Sequence, residues 1–323
     1  MPGFVTHYLF GAQTCRQLSD RSLRQEILLN HAAFSLGLQG PDVFFYYLPS
    51  DRLYPENPGN LAHDRRTGAF FANLLQARDR YQSDPPRLAI ADAYLMGFIG
   101  HYTLDTHAHP FVYAFTDYDP QNPPEAGPYF ALHGGLETDL DIVLLRARKD
   151  IPSSRFPMNH TIALRPLQRQ VIAELLCHAY RETYGDLEGF SFQVKQMAAA
   201  TRWMYTLSGF LRDRFGLKKR LMSLAEKKLL GYEKYTCMMP ADDRPINKDP
   251  LNLQKKAWVH PWTGQSSDQS FDEIMADAGI HYAGRLTAYQ RMRVLPADSR
   301  ERAEFLQEYG NLHFSSGLDC GSK

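Results

Sequence analysis

Cysteine is scarce in this 323-residue chain: Cys15, Cys177, Cys237 and Cys320 form neither a CxxC pair nor a regular framework. They read as ordinary reduced thiols, which excludes a disulfide scaffold. No run of about 18 apolar residues occurs, so no transmembrane helix is expected. The first residues, MPGFVTHYLFGAQ, lack a basic stretch followed by an apolar one, and a cytoplasmic protein is the reading. Net charge is also absent, with Lys+Arg and Asp+Glu both 36. No global field draws in nucleic acid or an anionic bilayer, which predicts no stable nucleic-acid partner and at most peripheral membrane contact. Repeats, low-complexity tracts and flexible linkers are missing too.

Alternating β-branched runs are nearly absent, whereas apolar residues recur every three or four positions. The chain therefore reads as all-α. Helices are expected over residues 7–19, 21–38, 61–80, 87–109, 129–148, 165–184, 188–210, 217–234, 271–292 and 298–309. Turn-forming residues place loops at 49–60, 117–128, 150–160 and 240–268. One multi-helix domain is expected, with a metal-binding catalytic core in 1–148 and additional helices of 149–323 packed on it.

Histidine is what the first half has in plenty: seven of twelve lie within the first 133 residues, three of them inside GHYTLDTHAHP at 100–110. On a helix His101, Asp105 and His109 stand at i, i+4 and i+8, each step advancing about 6 Å and turning about 40°. The ends of that polar stripe, about 12 Å apart, suit two ions better than one, with Asp105 able to bridge them. His133 and Glu137 repeat the i, i+4 spacing by which a helix face offers two ligands to one ion. With His109 they make three N/O ligands and leave a position open, the arrangement of catalytic zinc. His63 in LAHDRRTG is the further imidazole expected beside His101 and Asp105, with His7 the next candidate. Asp42 in QGPDVFFYY follows a helix-ending Gly-Pro turn, and is assigned the role of catalytic base or water-orienting group. His107, two positions from Asp105, faces elsewhere.

At these residues the chain resembles the bacterial zinc-dependent phospholipase C family, whose all-helical fold is shared with single-strand-specific zinc nucleases. The likeness covers roughly residues 1–145. The family pattern of an early His, an Asp, a His, a His-x3-Asp with a following His, and a closing His-x3-Glu falls on His7, Asp42, His63, His101, Asp105, His109, His133 and Glu137. The resemblance implies one zinc on His63, His101 and Asp105 and another on His109, His133 and Glu137. A third in secreted members uses a mature amino-terminal Trp. Here it would rest on His7, Asp105 and His31, so two ions are expected. The secreted enzymes place five residues between the bridging Asp and the next His, where this chain has three, with Phe111 at the usual position and His107 as the fallback ligand.

The implied activity is hydrolysis of a phosphoester or phospholipid headgroup by a metal-activated water. Two other readings carry weight. His31 and the adjacent His63-Asp64 loosely match HD-type metal phosphohydrolases; alternatively, the ions serve a non-catalytic scaffold. Beyond residue 145, the basic stretch 211–235 reads as a solvated helix because Asp213, Glu226 and Glu233 interleave with its bases. The FFYY run at 44–47 reads as core, and AWVHPW at 257–262 as a lid or a packed loop.

Overall fold

The computed structural model describes residues 3–213, 215–240, 246 and 249–321. Of the loop expected at 240–268, positions 241–245, 247 and 248 lie outside the described residues. The chain is all-α, as its periodicity predicts. Its helices in order are α1 (Phe4–Gln17), α2 (Arg21–Leu29), α3 (His31–Gly37), α4 (Ser50–Leu53), α5 (Pro58–Asp64), α6 (Thr67–Asp79), α7 (Pro85–Phe115), α8 (Ala126–Lys149), α9 (Met158–Thr161), α10 (Pro166–Tyr184), α11 (Val194–Phe210), α12 (Leu217–Leu230), α13 (Phe271–Met292) and α14 (Arg300–Tyr309). A two-stranded antiparallel pair, β1 (Trp258–Val259) and β2 (Ser266–Ser267), interrupts them with Trp258 opposite Ser267.

Local chemistry explains several helix starts. Asp20 accepts from the backbone N–H groups of Ser22 and Leu23, Asp84 from Arg87, and Asn57 from Gly59. These cap helix starts whose first N–H groups have no intrahelical partner. Ser270 and Glu273 form a reciprocal capping box at α13. The helix expected over 21–38 breaks at Asn30, and the one over 61–80 breaks where Arg66 turns left-handed (φ 52°).

Helix α7 is the central post, 31 residues and about 46 Å long. From Ile90 to Val112 nearly every side chain is buried, the signature of a helix surrounded by others. Helices α1, α3, α6, α10 and α13 all pack on it. At the crossing with α3 the two backbones meet: a Cβ on Gly37 would lie 2.1 Å from Tyr94 O, and one on Gly97 2.1 Å from Phe34 O. The expected end at His109 is overrun, and α7 continues through Pro110 to Phe115. Packing of Phe111 against Phe115, Trp258 and Phe271 outweighs the missing proline N–H.

Candidate metal centre

Five elements aim polar side chains at one buried region. Helix α1 contributes His7, the 3-10 turn Gly40–Phe44 contributes Asp42, and α5 contributes His63. The post α7 supplies His101, Asp105 and His109, and α8 supplies His133 and Glu137. Asp42 Oδ1 lies 3.2 Å from His63 Nε2 and 3.6 Å from His101 Nε2. Asp105 Oδ2 lies 3.5 Å from His63 Nε2 and 3.2 Å from His101 Nε2. A tetrahedron around an ion bound at about 2.0–2.2 Å has edges of about 3.3–3.6 Å, and four edges of this quartet fall close to that range. The other oxygen of Asp105, Oδ1, lies 3.1 Å from His7 Nε2. Asp105 thus faces the quartet with one oxygen and His7 with the other.

These contacts are near but not hydrogen-bonded. Both oxygens of Asp105, Oδ1 of Asp42, Nε2 of His63 and of His101, and both nitrogens of His7 are buried without a hydrogen-bond partner. Buried polar groups left this way cost about 1–3 kcal/mol each, more when charged, so a cluster of them calls for a further binding partner. The structural ion cluster elsewhere in the protein behaves differently. There Asp92 accepts from Arg78 Nε at 2.8 Å, Tyr289 OH at 2.7 Å and Arg293 Nη1 at 3.0 Å, and both its oxygens are engaged.

Backbone carbonyls orient the imidazoles. Nδ1–H of His63 donates to Gly59 O (2.6 Å), that of His101 to Leu38 O (3.1 Å) and that of His109 to Phe314 O (3.0 Å). In each case the tautomer leaves the Nε2 lone pair available to an ion. Gly40, in the left-handed region at φ 50°, passes against the His101 ring, where a Cβ would lie 2.2 Å from Cδ2. The turn that presents Asp42 can therefore approach only as glycine.

A separate group forms from His109, His133 and Glu137, whose candidate ligand atoms lie within 4.8 Å of one another. His133 Nε2 is 2.9 Å and His109 Nε2 4.0 Å from Glu137 Oε1. Asp42, His63 and this triad line one side of a cavity of about 460 Å³; His7, His101 and Asp105 lie behind that wall. Tyr113, Tyr118 and Tyr129 line it beside the triad, with the Tyr113 ring 4.8 Å from His133 and 5.0 Å from Trp262.

Residues 6–200 match the zinc dependent phospholipase C family. The chain belongs to that family. No curated protein and no solved structure matches it significantly. Membership supports a zinc-dependent phosphoester hydrolase with an all-α fold. Zinc also fits the residues present: the donor set is wholly N and O, mostly buried, and contains the orphaned atoms described above.

The electrostatics of these residues agree with cation binding. Burial disfavours charge on Asp105, yet His101, His109 and His7 around it hold its carboxyl well below the usual range. Burial lowers His7, His109 and His133, keeping them in the neutral form a metal requires. Burial opposes charge on His63 as well, but Asp105 and Asp42 beside it raise its imidazolium to about 10.

Two other sequence candidates stand apart. His31 packs on the Tyr8 ring and reaches Ser35 Oγ at 3.4 Å, outside both the quartet and the triad, so the HD-type constellation is not assembled. Asp64 pairs with His313 rather than with a His63-centred group. His107 bonds Thr103 O and His281 Nδ1 on the far side of α7. Sequence reasoning missed the carboxy-terminal stretch. Phe314 O orients His109, Phe314 N donates to His63 O, and the Phe314 ring stacks edgewise on His63 at 4.7 Å. Backbone partners carry no residue signature; only the aromatic inside HFSSG hinted at a packed turn.

Proposed function

We propose that the protein hydrolyses a phosphodiester of a phospholipid headgroup. The observation that carries the reading is the pair of side-chain clusters, one of Asp42, His63, His101 and Asp105 and one of His109, His133 and Glu137, the first reaching through Asp42 and His63 the same aromatic-lined cavity as the second. Zinc held there supplies positive charge for phosphoryl oxygens and lowers the pKa of a nucleophilic water toward neutrality. The separation of the groups supports two ions, and the approach of His7 to the second oxygen of Asp105 supports a further one beside the first.

The chain's own residues do the rest. Asp105 and His101 would hold a first ion from behind the wall. Asp42 has a ligand's spacing to both histidines and also lines the cavity, so the same carboxylate aligns the attacking water and receives its proton. Tyr113, Tyr118 and Tyr129 exclude water from the leaving side and offer flat apolar faces to the glycerol end of a lipid. A cavity of this volume is of the usual size for a small ligand.

Metal analysis of purified protein, with hydrolysis of short-chain phosphatidylcholine and of bis(p-nitrophenyl) phosphate, tests the reading. At least two zinc ions per chain and loss of turnover of about a thousandfold in His101→Ala are expected. Fewer than one ion per chain, or full metal without hydrolysis of either substrate, rejects it.

A further inference from the structure

Helix α12 is built inside out. Leu217, Leu221 and Leu224, at i, i+4 and i+7, share one face, and they are 62 %, 61 % and 69 % exposed. The inward face packs Met222 on the core and is otherwise polar: Glu226, buried, accepts from Tyr235 N, Thr236 N and Thr236 Oγ1, and Lys219 Nζ donates to Met239 O. The residue expected to solvate this helix is thus the one that fastens it, and the leucines are left outside. Lys228 falls on the leucine face at i+11, with Arg220 and Lys227 along one flank and Lys218 along the other. The segment 211–235 carries eight basic and three acidic residues in a chain of zero net charge.

The helix is bracketed by residues that line the cavity. Leu211 before it and Met238 after it both line the cavity, and the Tyr232 ring lies against Gly127 in the first turn of α8. That same end of α8 exposes Phe130 and Leu132. A second copy of the chain is a poor occupant for this face. Fourteen residues span about 21 Å, so the stripe covers on the order of 200 Å², against about 800 Å² per partner in a stable interface. The bases flanking it would also meet their own copies across a twofold axis. An apolar stripe bordered by lysine and arginine matches the boundary between acyl chains and acidic headgroups.

We propose that α12 is an interfacial helix that seats its leucine face in an anionic lipid bilayer, bringing the cavity mouth to the surface. The inference rests on the phospholipid reading for its purpose, although the docking itself requires no turnover. Co-sedimentation of the full chain with sucrose-loaded vesicles of phosphatidylglycerol and phosphatidylcholine, or of phosphatidylcholine alone, tests it. Binding to the anionic vesicles that weakens with salt is expected, together with a loss of about tenfold or more in the double variant Leu221→Glu, Leu224→Glu. Lys228→Glu, at an exposed position, should weaken anionic binding severalfold without touching the leucines.

Hydrolysis of bis(p-nitrophenyl) phosphate, which needs no bilayer, should be unchanged in these variants and reports that they fold. No binding by the native chain, or binding indifferent to both variants, overturns the proposal. So does a native dimer that the double variant converts to a monomer. Binding of vesicles by a chain that hydrolyses neither soluble substrate would sustain the docking and reject the catalytic reading, so the two failures are distinguishable.

Discussion

Asp141 shows how a single side chain outside the ligand set can govern the centre. One turn beyond Glu137 on α8, its carboxylate accepts from Val5 N at 3.0 Å, Thr6 N at 2.7 Å and Thr6 Oγ1 at 2.6 Å. It thereby fastens the start of α1 next to His7. Burial drives its carboxyl up from 3.8 to about 7, against the donors that favour its charge. Below the unfolded value both states are protonated and the contribution of Asp141 is complete. As pH rises from about 4 through about 7 the unfolded chain ionises first, and stability is lost. The melting temperature of the native protein relative to Asp141→Asn should therefore fall between about pH 4.5 and about pH 7.5. A difference that stays level across that window would show that the carboxyl ionises normally. Nothing in the sequence singled out Asp141, because a carboxylate that caps a helix 135 residues away leaves no spacing to read. The histidines were legible because i, i+4 pairs project from one helix face whatever surrounds them.

Whole helices were read from apolar periodicity, and α13, whose Ser270 and Glu273 announce its start, coincides with its expected span. Breaks at Asn30 and Arg66 and the run through Pro110 depend on tertiary packing, to which periodicity is blind. The same holds for the stretch after α14, where Leu312 N donates to Tyr102 OH and Phe314 closes on two histidines. A chain ending at Tyr309 should bind zinc at the His109 group about 10–100-fold more weakly, as expected when a ligand's outer hydrogen bond is lost. Competition against a chromogenic chelator measures this. Phe314→Ala retains the carbonyl and should keep that affinity while destabilising the fold by about 3–5 kcal/mol. Equal zinc affinity in the truncated and full chains would remove Phe314 O from the account.

Across the molecule, the groups that meet at the centre come from residue 7 to residue 314, and several of them are buried charges. Removing zinc leaves Asp42 and Asp105 facing one another across two imidazoles, with no lysine or arginine in ion-pair contact with either among the described residues. Chelation should lower the melting temperature by about 5–10 °C, since a ligand bound only to the folded state at a thousandfold excess over its dissociation constant contributes about 4 kcal/mol. Calorimetry with and without EDTA decides it, and an unmoved transition would mean that the centre is not loaded. No helix among the described residues is long and apolar enough to cross a membrane.

The turn at Phe314 also sets a schedule for synthesis. Amino-terminal segments emerge first, and α1 through α8 can begin to pack while the rest of the chain is still being made. His109 cannot receive its orienting carbonyl until Phe314 has been made. A product cut short just before Phe314 would carry every histidine and carboxylate of the centre and still lack the hydrogen bond that aims one of them. The orientation of His109 is thereby tied to the synthesis of a segment 205 residues downstream.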